Sequence, residues 1–295
     1  TATATTTTVR LYRFEGHTGS GTISSVIIKE ASADRSVNGN GLQVFGTVTK
    51  TAVATDADIV AYSGFSSSNY LEQPYNTDLD FGTGDFSVMG WFKTVATTAE
   101  QMFLDRSSGS ANIFRARLMS STSQAQFAVK DNVTWAYTLS DDALDDNNWY
   151  FLVGTKIGGS VSLYINGVLQ STASGLTTTI SSSTSATLDI GHESGTNPAD
   201  NTSLALWRVS GTAPSPEQIK KMYEDEKFLF QENAKATLYG SSDAVTALAY
   251  DDDTELLHAG TSAGRSVFQG LRRIDNTTDA VGAAISASNG MIAED

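Results

Sequence analysis

The 295-residue sequence predicts an all-β protein, a β-sandwich followed by one capped α-helix and a small blade-like antiparallel β meander. Three observations carry this. Val161, Leu163 and Ile165 alternate with Ser162 and Tyr164 and run into Asn166-Gly167, whose tolerance of positive φ suits a tight type I′ hairpin. Residues 86–92 and 149–153 are apolar on both faces, as expected of central strands covered by a second sheet. Ser215-Pro216-Glu217-Gln218 puts Ser at an N-cap, Pro at the first helical position and Gln at the third, the pattern of a capping box.

The elements follow in order. Residues 1–8 are a Thr-rich N-terminal arm without the charged or apolar region of a signal peptide, so Thr1 reads as a processed terminus or as part of a longer chain. Residues 9–212 are assigned to the sandwich and 213–234 to the helix, with Ile219, Met222 and Tyr223 as its apolar face. Residues 235–275 form the meander: residues 244–250, an Asp-rich turn at 251–253, residues 256–260, a second turn, and Ser266-Val267-Phe268. It resembles one blade of a β-propeller, and an isolated meander is marginal in water and leaves its edges open. The inference is that it packs on its neighbour or pairs with other subunits through Val245, Leu248, Tyr250, Leu257, Val267 and Phe268. Residues 276–295, small and polar, are read as a C-terminal arm, either frayed or ordered by a partner chain.

Composition narrows the function. A net charge of −14 opposes a phosphate-backbone partner, because nucleic-acid binding rests on Lys and Arg, and it disfavours anionic membranes. The apolar runs fall far short of the ~20 residues a membrane helix needs. With no cysteine, disulfides, Cys-zinc sites and thiol nucleophiles are excluded.

The order of the motifs carries a resemblance. Asp85-Phe86-Ser87 leading to Trp91, then residues 149–153, then residues 161–167 resemble the successive strands of laminin G-like (pentraxin-like) domains of the concanavalin A-like lectin/glucanase family. Upstream, residues 11–16 look like that family's first strand, and residues 69–71 and 79–84 like its approach to Asp85. Downstream, residues 204–209 and 215–219 look like its closing strand and helix. The resemblance spans roughly residues 9–230 and implies a jelly-roll sandwich used for surface recognition, with calcium often held at one rim. The whole arrangement of Thr-rich lead, sandwich, helix and blade resembles bacteriophage virion proteins, notably tail-fibre and appendage proteins.

Gly260-Thr261-Ser262-Ala263-Gly264 matches the G-x-S-x-G elbow, yet it lies between two predicted strands, and no histidine follows it, the three being His17, His192 and His258. It is read as a Gly-rich turn, and His258 as a strand-face residue. The E-x-D-x-x-E pattern of some concanavalin A-like glycosidases is absent, and Glu224-Asp225-Glu226 is read as a solvated helix face. Calcium is the one cofactor left open, at Asp78, Asp80 and Asp85, or at Asp141, Asp142, Asp145 and Asp146, although neither spacing is an EF-hand loop. Exposed aromatics are the other opening. Trp135 and Tyr137 in a short polar hairpin, with Tyr62 and Tyr75 beside a Ser/Gly-rich loop, are candidates for stacking on a sugar or anchoring a partner. Arg115 and Arg117 share the outward face of their strand.

The expected function is therefore a non-enzymatic structural protein of a bacteriophage virion, assembled in the bacterial cytoplasm and exposed on the tail or particle surface. Its expected partners are other virion proteins, copies of itself and a host cell-surface glycan. A capsid decoration protein and a free calcium-dependent lectin are the alternatives.

Overall fold

The computed structural model describes residues 31–32, 41–108, 111–177, 179–180, 183–242 and 244–295. The arm at 1–8 and the strand expected at 11–16 lie outside the described residues. Two antiparallel sheets face each other. The front sheet runs, in spatial order, Ala31–Ser32, Leu42–Phe45, Tyr70–Gln73, Thr187–Ile190, Gln101–Ser108, Ala111–Leu118, Gln124–Lys130 and Trp135–Ala143. The back sheet runs Val168–Ser174, Ser160–Ile165, Tyr150–Ile157, Phe86–Thr94, Thr202–Ser210, Val60–Ser63 and Thr49–Ala52.

The local sequence accounts for these elements. Asn166 and Gly167 take φ of 51° and 81°, and Ile165 pairs with Val168 across them, so the expected two-residue hairpin forms. Phe86, Val88 and Phe92 alternate inward with Leu152 against Phe114, Phe127 and Leu104 of the front sheet. Two strand glycines make room for aromatic rings, Gly154 for one from the facing sheet and Gly90 for one from the neighbouring strand. A Cβ on Gly154 would run into the Phe127 ring, and one on Gly90 into the Trp207 indole.

The other apolar face of the central strands has a different cover from a sheet. Met89, Trp91, Phe151 and Val153 point away from the front sheet and are buried by Ile219 of the helix Pro216–Glu226 and by Leu229 and Phe230 of the 3-10 turn that follows it. Trp91 stacks on Phe230 with centroids 4.1 Å apart and its indole N–H donates to Glu226 at 2.7 Å. Ser215 and Gln218 form the capping box that starts this helix. Glu224 and Asp225 pair with Lys227 and Lys221. Glu226, expected on a solvated face, is instead buried, because Trp91 and Arg208 both donate to it.

The meander is a four-stranded sheet, Val245–Asp251, Leu256–Thr261, Gly264–Gln269 and Arg272–Asn276. Residues 276–295, expected as an arm, carry a hairpin of Ile285–Ser288 and Met291–Glu294 that folds back on one face of the meander. Val281 is buried there, Asp251 accepts the Gly290 N–H at 2.7 Å, and Arg265 pairs with Glu294 at 3.0 Å. The sandwich holds the meander through Asp58, which accepts the Ala236 N–H and the Thr237 hydroxyl, and through Lys235, which donates to the Asp56 carbonyl at 2.7 Å.

Candidate functional site

The outward face of the front sheet gathers the polar and aromatic side chains. Pairing registers place Glu72, Asp189, Asp105, Arg115, Ala128 and Tyr137 in one row across six strands. Their neighbours along each strand, Leu71, Leu104, Ile190 and Phe114, point into the core.

At the edge of this face, Asp131 builds the turn that presents Trp135. Its buried carboxylate accepts the N–H groups of Val133 and Thr134 from one oxygen and of Thr177 from the other. The Arg115 guanidinium lies 4.8 Å and the Lys130 ammonium 5.7 Å from the Trp135 ring centroid, so part of that ring is already claimed by cations. Tyr137 is 58% exposed. Beside it runs an open groove of about 430 Å³ lined by Gln124, Tyr137, Leu139, Asp141, Ser171 and Thr172 among others. The groove lies between the edge strands of the two sheets, which Ser171 joins by donating to the Leu139 carbonyl at 2.7 Å and accepting the Leu139 N–H at 3.1 Å. One exposed phenol ring above hydroxyl, amide and carboxylate groups is suited to a sugar, whose faces are apolar and whose rim is hydroxylated.

The centre of the same face is closed. Asp105 is 0% and Asp189 3% exposed beneath residues 192–197, where Glu193 pairs with Arg115 at 3.3 Å and the Ser194 and Ser107 hydroxyls meet at 3.4 Å. Burial pushes the Asp105 carboxyl up to about 7, with the charges of Glu193 and Asp189 adding to it, and burial pushes Asp189 to about 6 with Glu72 adding. Burial holds His192 down at about 4; its Nδ1 accepts the Gly195 N–H at 2.7 Å and its ring packs on Tyr70. Paired carboxyls of raised pKa suit glycoside hydrolysis when a glycosidic oxygen can reach them. These two are sealed from solvent by the loop.

The other expected residues are scattered. Tyr75 donates to Asp80 at 2.8 Å, and Asp80 holds the fully buried Arg106 at 2.5 Å. Asp85 accepts the Gly158 N–H, while Asp78 lies exposed in the 3-10 turn Thr77–Leu79. Among the described residues no group of three or more acidic or histidine side chains is placed to hold a metal, so Asp78, Asp80 and Asp85 are not brought together. Asp145 accepts from Ser123, and Asp146 from Asn148 and Tyr150. Tyr62 packs against the core with Lys50 over its ring. Ser262 lies in the turn joining two paired strands, as expected, and His258 is buried on a strand. On the meander, Val245, Leu248 and Tyr250 are exposed on an edge strand, Leu257 and Phe268 are half-buried, and Val267 is buried.

Sequence reasoning missed Ser171, whose groove partner Leu139 lies in another hairpin, and Asp131, whose turn is completed by the distant Thr177 N–H. It also missed the enclosed Asp105–Asp189 pair, whose members sit in separate strands that only the register joins.

Fold and face together define a lectin-like jelly-roll sandwich. Residues 65–220, more than half of the chain, match the Laminin_G_3 family of the Concanavalin A-like lectin/glucanases superfamily, and the chain belongs to that family. No curated protein matches the sequence. Among solved structures, the chain is similar to the binding domain of Paraclostridial Mosquitocidal Protein 1 (15% identity, TM-score 0.55, covering 79% of this chain and 62% of that one). It is also similar to the binding domain of botulinum neurotoxin serotype G (12% identity, TM-score 0.54, 89% and 62%). A third is the ligand binding domain of the serotype D toxin in complex with N-acetylneuraminic acid (16% identity, TM-score 0.51, 84% and 62%). The chain thus spans about three fifths of the length of these neighbours, and at such identity the likeness is one of fold.

Proposed function

We propose that this chain is a non-enzymatic glycan-contacting module, exposed on a bacteriophage particle as part of a tail fibre or appendage. The observation that carries the glycan reading is the groove between the two edge strands, with Tyr137 standing exposed over a floor of hydroxyl and amide groups. Neighbouring folds that are binding domains, one of them bound to N-acetylneuraminic acid, support the same use of the sandwich. The sealing of Asp105 and Asp189 supports binding without hydrolysis. The virion setting rests on the sequence arrangement of Thr-rich lead, sandwich, helix and blade. Self-association is assigned to the open edge strand Val245–Asp251.

The test is a glycan array probed with the full chain and with Tyr137→Ala. Stacking on an aromatic ring is worth about 0.5–1.5 kcal/mol, so the variant should lose about two- to tenfold in affinity for any glycan bound. Equal binding by both proteins would remove the groove from the reading. Antibody labelling of particles in electron micrographs tests the virion setting, and label confined to free protein would favour a secreted recognition module, the use suggested by the toxin binding domains.

A further inference from the structure

Seven arginines have described side chains, and five of them are paired: Arg106, Arg115, Arg117, Arg208 and Arg265 each meet a carboxylate. The two without a carboxylate at ion-pair distance among the described residues are consecutive, Arg272 and Arg273. Both line a pocket of about 310 Å³ between the outer strand of the meander and the segment that ties it to the sandwich, together with Asn233, Lys235, Ile274 and Asp275.

The backbone fixes this pocket. Arg273 donates its N–H to the Lys235 carbonyl at 2.8 Å, and its guanidinium lies 5.5 Å from the Tyr239 ring centroid, an arrangement that orients the group while leaving its charge uncompensated. Arg272 Nε and Arg273 Nη1 are enclosed and make no hydrogen bond. Enclosed guanidinium N–H groups without acceptors are costly, and an oxyanion accepting from either fork would relieve part of that cost. The nearby carboxylates have other partners. Lys235 is shared with Asp58 at 3.4 Å, and Asp275 spends one oxygen on the Asn276 N–H. Ile274, 46% exposed, supplies an apolar wall.

We propose that this pocket is an anion subsite, taking the carboxylate or sulfate of an acidic saccharide, with Arg272 and Arg273 as the recognising pair and Ile274 against the ring. Its volume lies at the lower end of the range for small-molecule sites, room for a monosaccharide and no more. It lies on the meander and is independent of the Tyr137 groove. Planar forks that fit an oxyanion through two parallel N–H bonds make arginine, rather than lysine, the residue this chemistry calls for.

The experiment is isothermal titration of the full chain with sodium glucuronate, glucose and sodium sulfate at matched ionic strength, with the arginine Nε–H resonances followed by NMR. Glucuronate should bind saturably and shift the Arg272 and Arg273 signals, while glucose does not. Arg272→Gln/Arg273→Gln should weaken binding at least tenfold, Arg272→Lys should weaken it although charge is kept, and the Arg272 and Arg273 signals should still shift in Tyr137→Ala. Sulfate binding as tightly as glucuronate shows a subsite for the oxyanion itself; weaker sulfate binding shows that the sugar ring contributes, and either result supports the assignment. Absence of saturable binding by both anions, or binding unchanged in the double variant with its thermal midpoint intact, would overturn it. Loss of the Tyr137 groove activity alone would leave this pocket standing.

Discussion

The enclosed Asp105 gives a pH-dependent stability that can be worked from the structure. Its carboxyl lies at about 7 against 3.8 when unperturbed, chiefly through burial. At about 1.4 kcal/mol per pH unit, that rise withholds about 4 kcal/mol from the folded state once the group is ionised. The sign follows from proton uptake. The folded protein holds a proton that the unfolded chain releases, so the stabilisation is full below pH 3.8 and is lost as pH rises through about 7. Asp189 acts the same way up to about 6. His192 acts oppositely: stability present above 6.5 is lost as pH falls through about 4, because the buried ring resists charging. Asp105→Asn replaces the anion with a neutral isostere whose amide still needs partners, at a cost of about 1–3 kcal/mol. The net gain at pH 8 should be about 1–3 kcal/mol, a rise of about 2 °C in Tm per kcal/mol for a chain of 295 residues. At pH 5, where the wild-type group is protonated, the gain should vanish. Differential scanning fluorimetry at both pH values measures this, and an equal shift at pH 5 and pH 8, or a lower Tm at pH 8, would refute the burial argument.

Other perturbations test the packing. Glu226→Ala leaves the Trp91 indole N–H and the Arg208 guanidinium without their acceptor and should cost about 2–4 kcal/mol in urea unfolding, with Glu226→Gln costing less because one acceptor oxygen remains. Gly154→Val drives its side chain into the Phe127 ring and should destabilise by about 1–3 kcal/mol or more, read from the same curves. Gly167→Val meets both φ of 81° and the Lys220 backbone at 3.0 Å, so a cost of about 1–2 kcal/mol is expected from conformation alone. Leu248→Lys with Tyr250→Lys should convert an oligomer to monomer in light scattering, and an unchanged mass from an oligomeric wild type would clear that edge of any role.

What could be read from the sequence was whatever is decided within a few residues. The Asn166-Gly167 turn, the alternation at Val161, Leu163 and Ile165 and the Ser215–Gln218 box each depend on their own neighbours, and each stands as expected. The hairpin at Ile285–Ser288 and Met291–Glu294 carried the same local signal, Asn289-Gly290 with φ of 53° and 73°, but its short strands of small residues made it read as an arm. Distant pairing explains the rest. Glu226 is buried by a tryptophan 135 positions away. Asp105 and Asp189 become neighbours only through strand register, while Asp78, Asp80 and Asp85, close in sequence, are sent to different partners by the turn that holds them. Of the candidate site, Trp135 and Tyr137 were legible as aromatics in a polar hairpin. The groove beside them was not, because half of it is the edge strand of the other sheet.

The meander shows why a single blade needs no ring of copies to persist. Its inner face is closed by the returning hairpin, through Val281 beneath Gly260 and through Asp251 at the hairpin turn. Its outer strand is held by the Lys235–Arg273 bridge, and that segment is in turn fastened to Asp56 and Asp58 of the sandwich. Among the described residues the strand Val245–Asp251 is an edge of the four-stranded sheet, with the strand Ile285–Ser288 lying against it and Leu248 and Tyr250 exposed. Open edges of that kind invite pairing with another chain unless charge or a bulge blunts them. The bulge between Val245 and Ala247 blunts only the start of this strand, so the proposed self-association, if it uses this edge, would use the remainder.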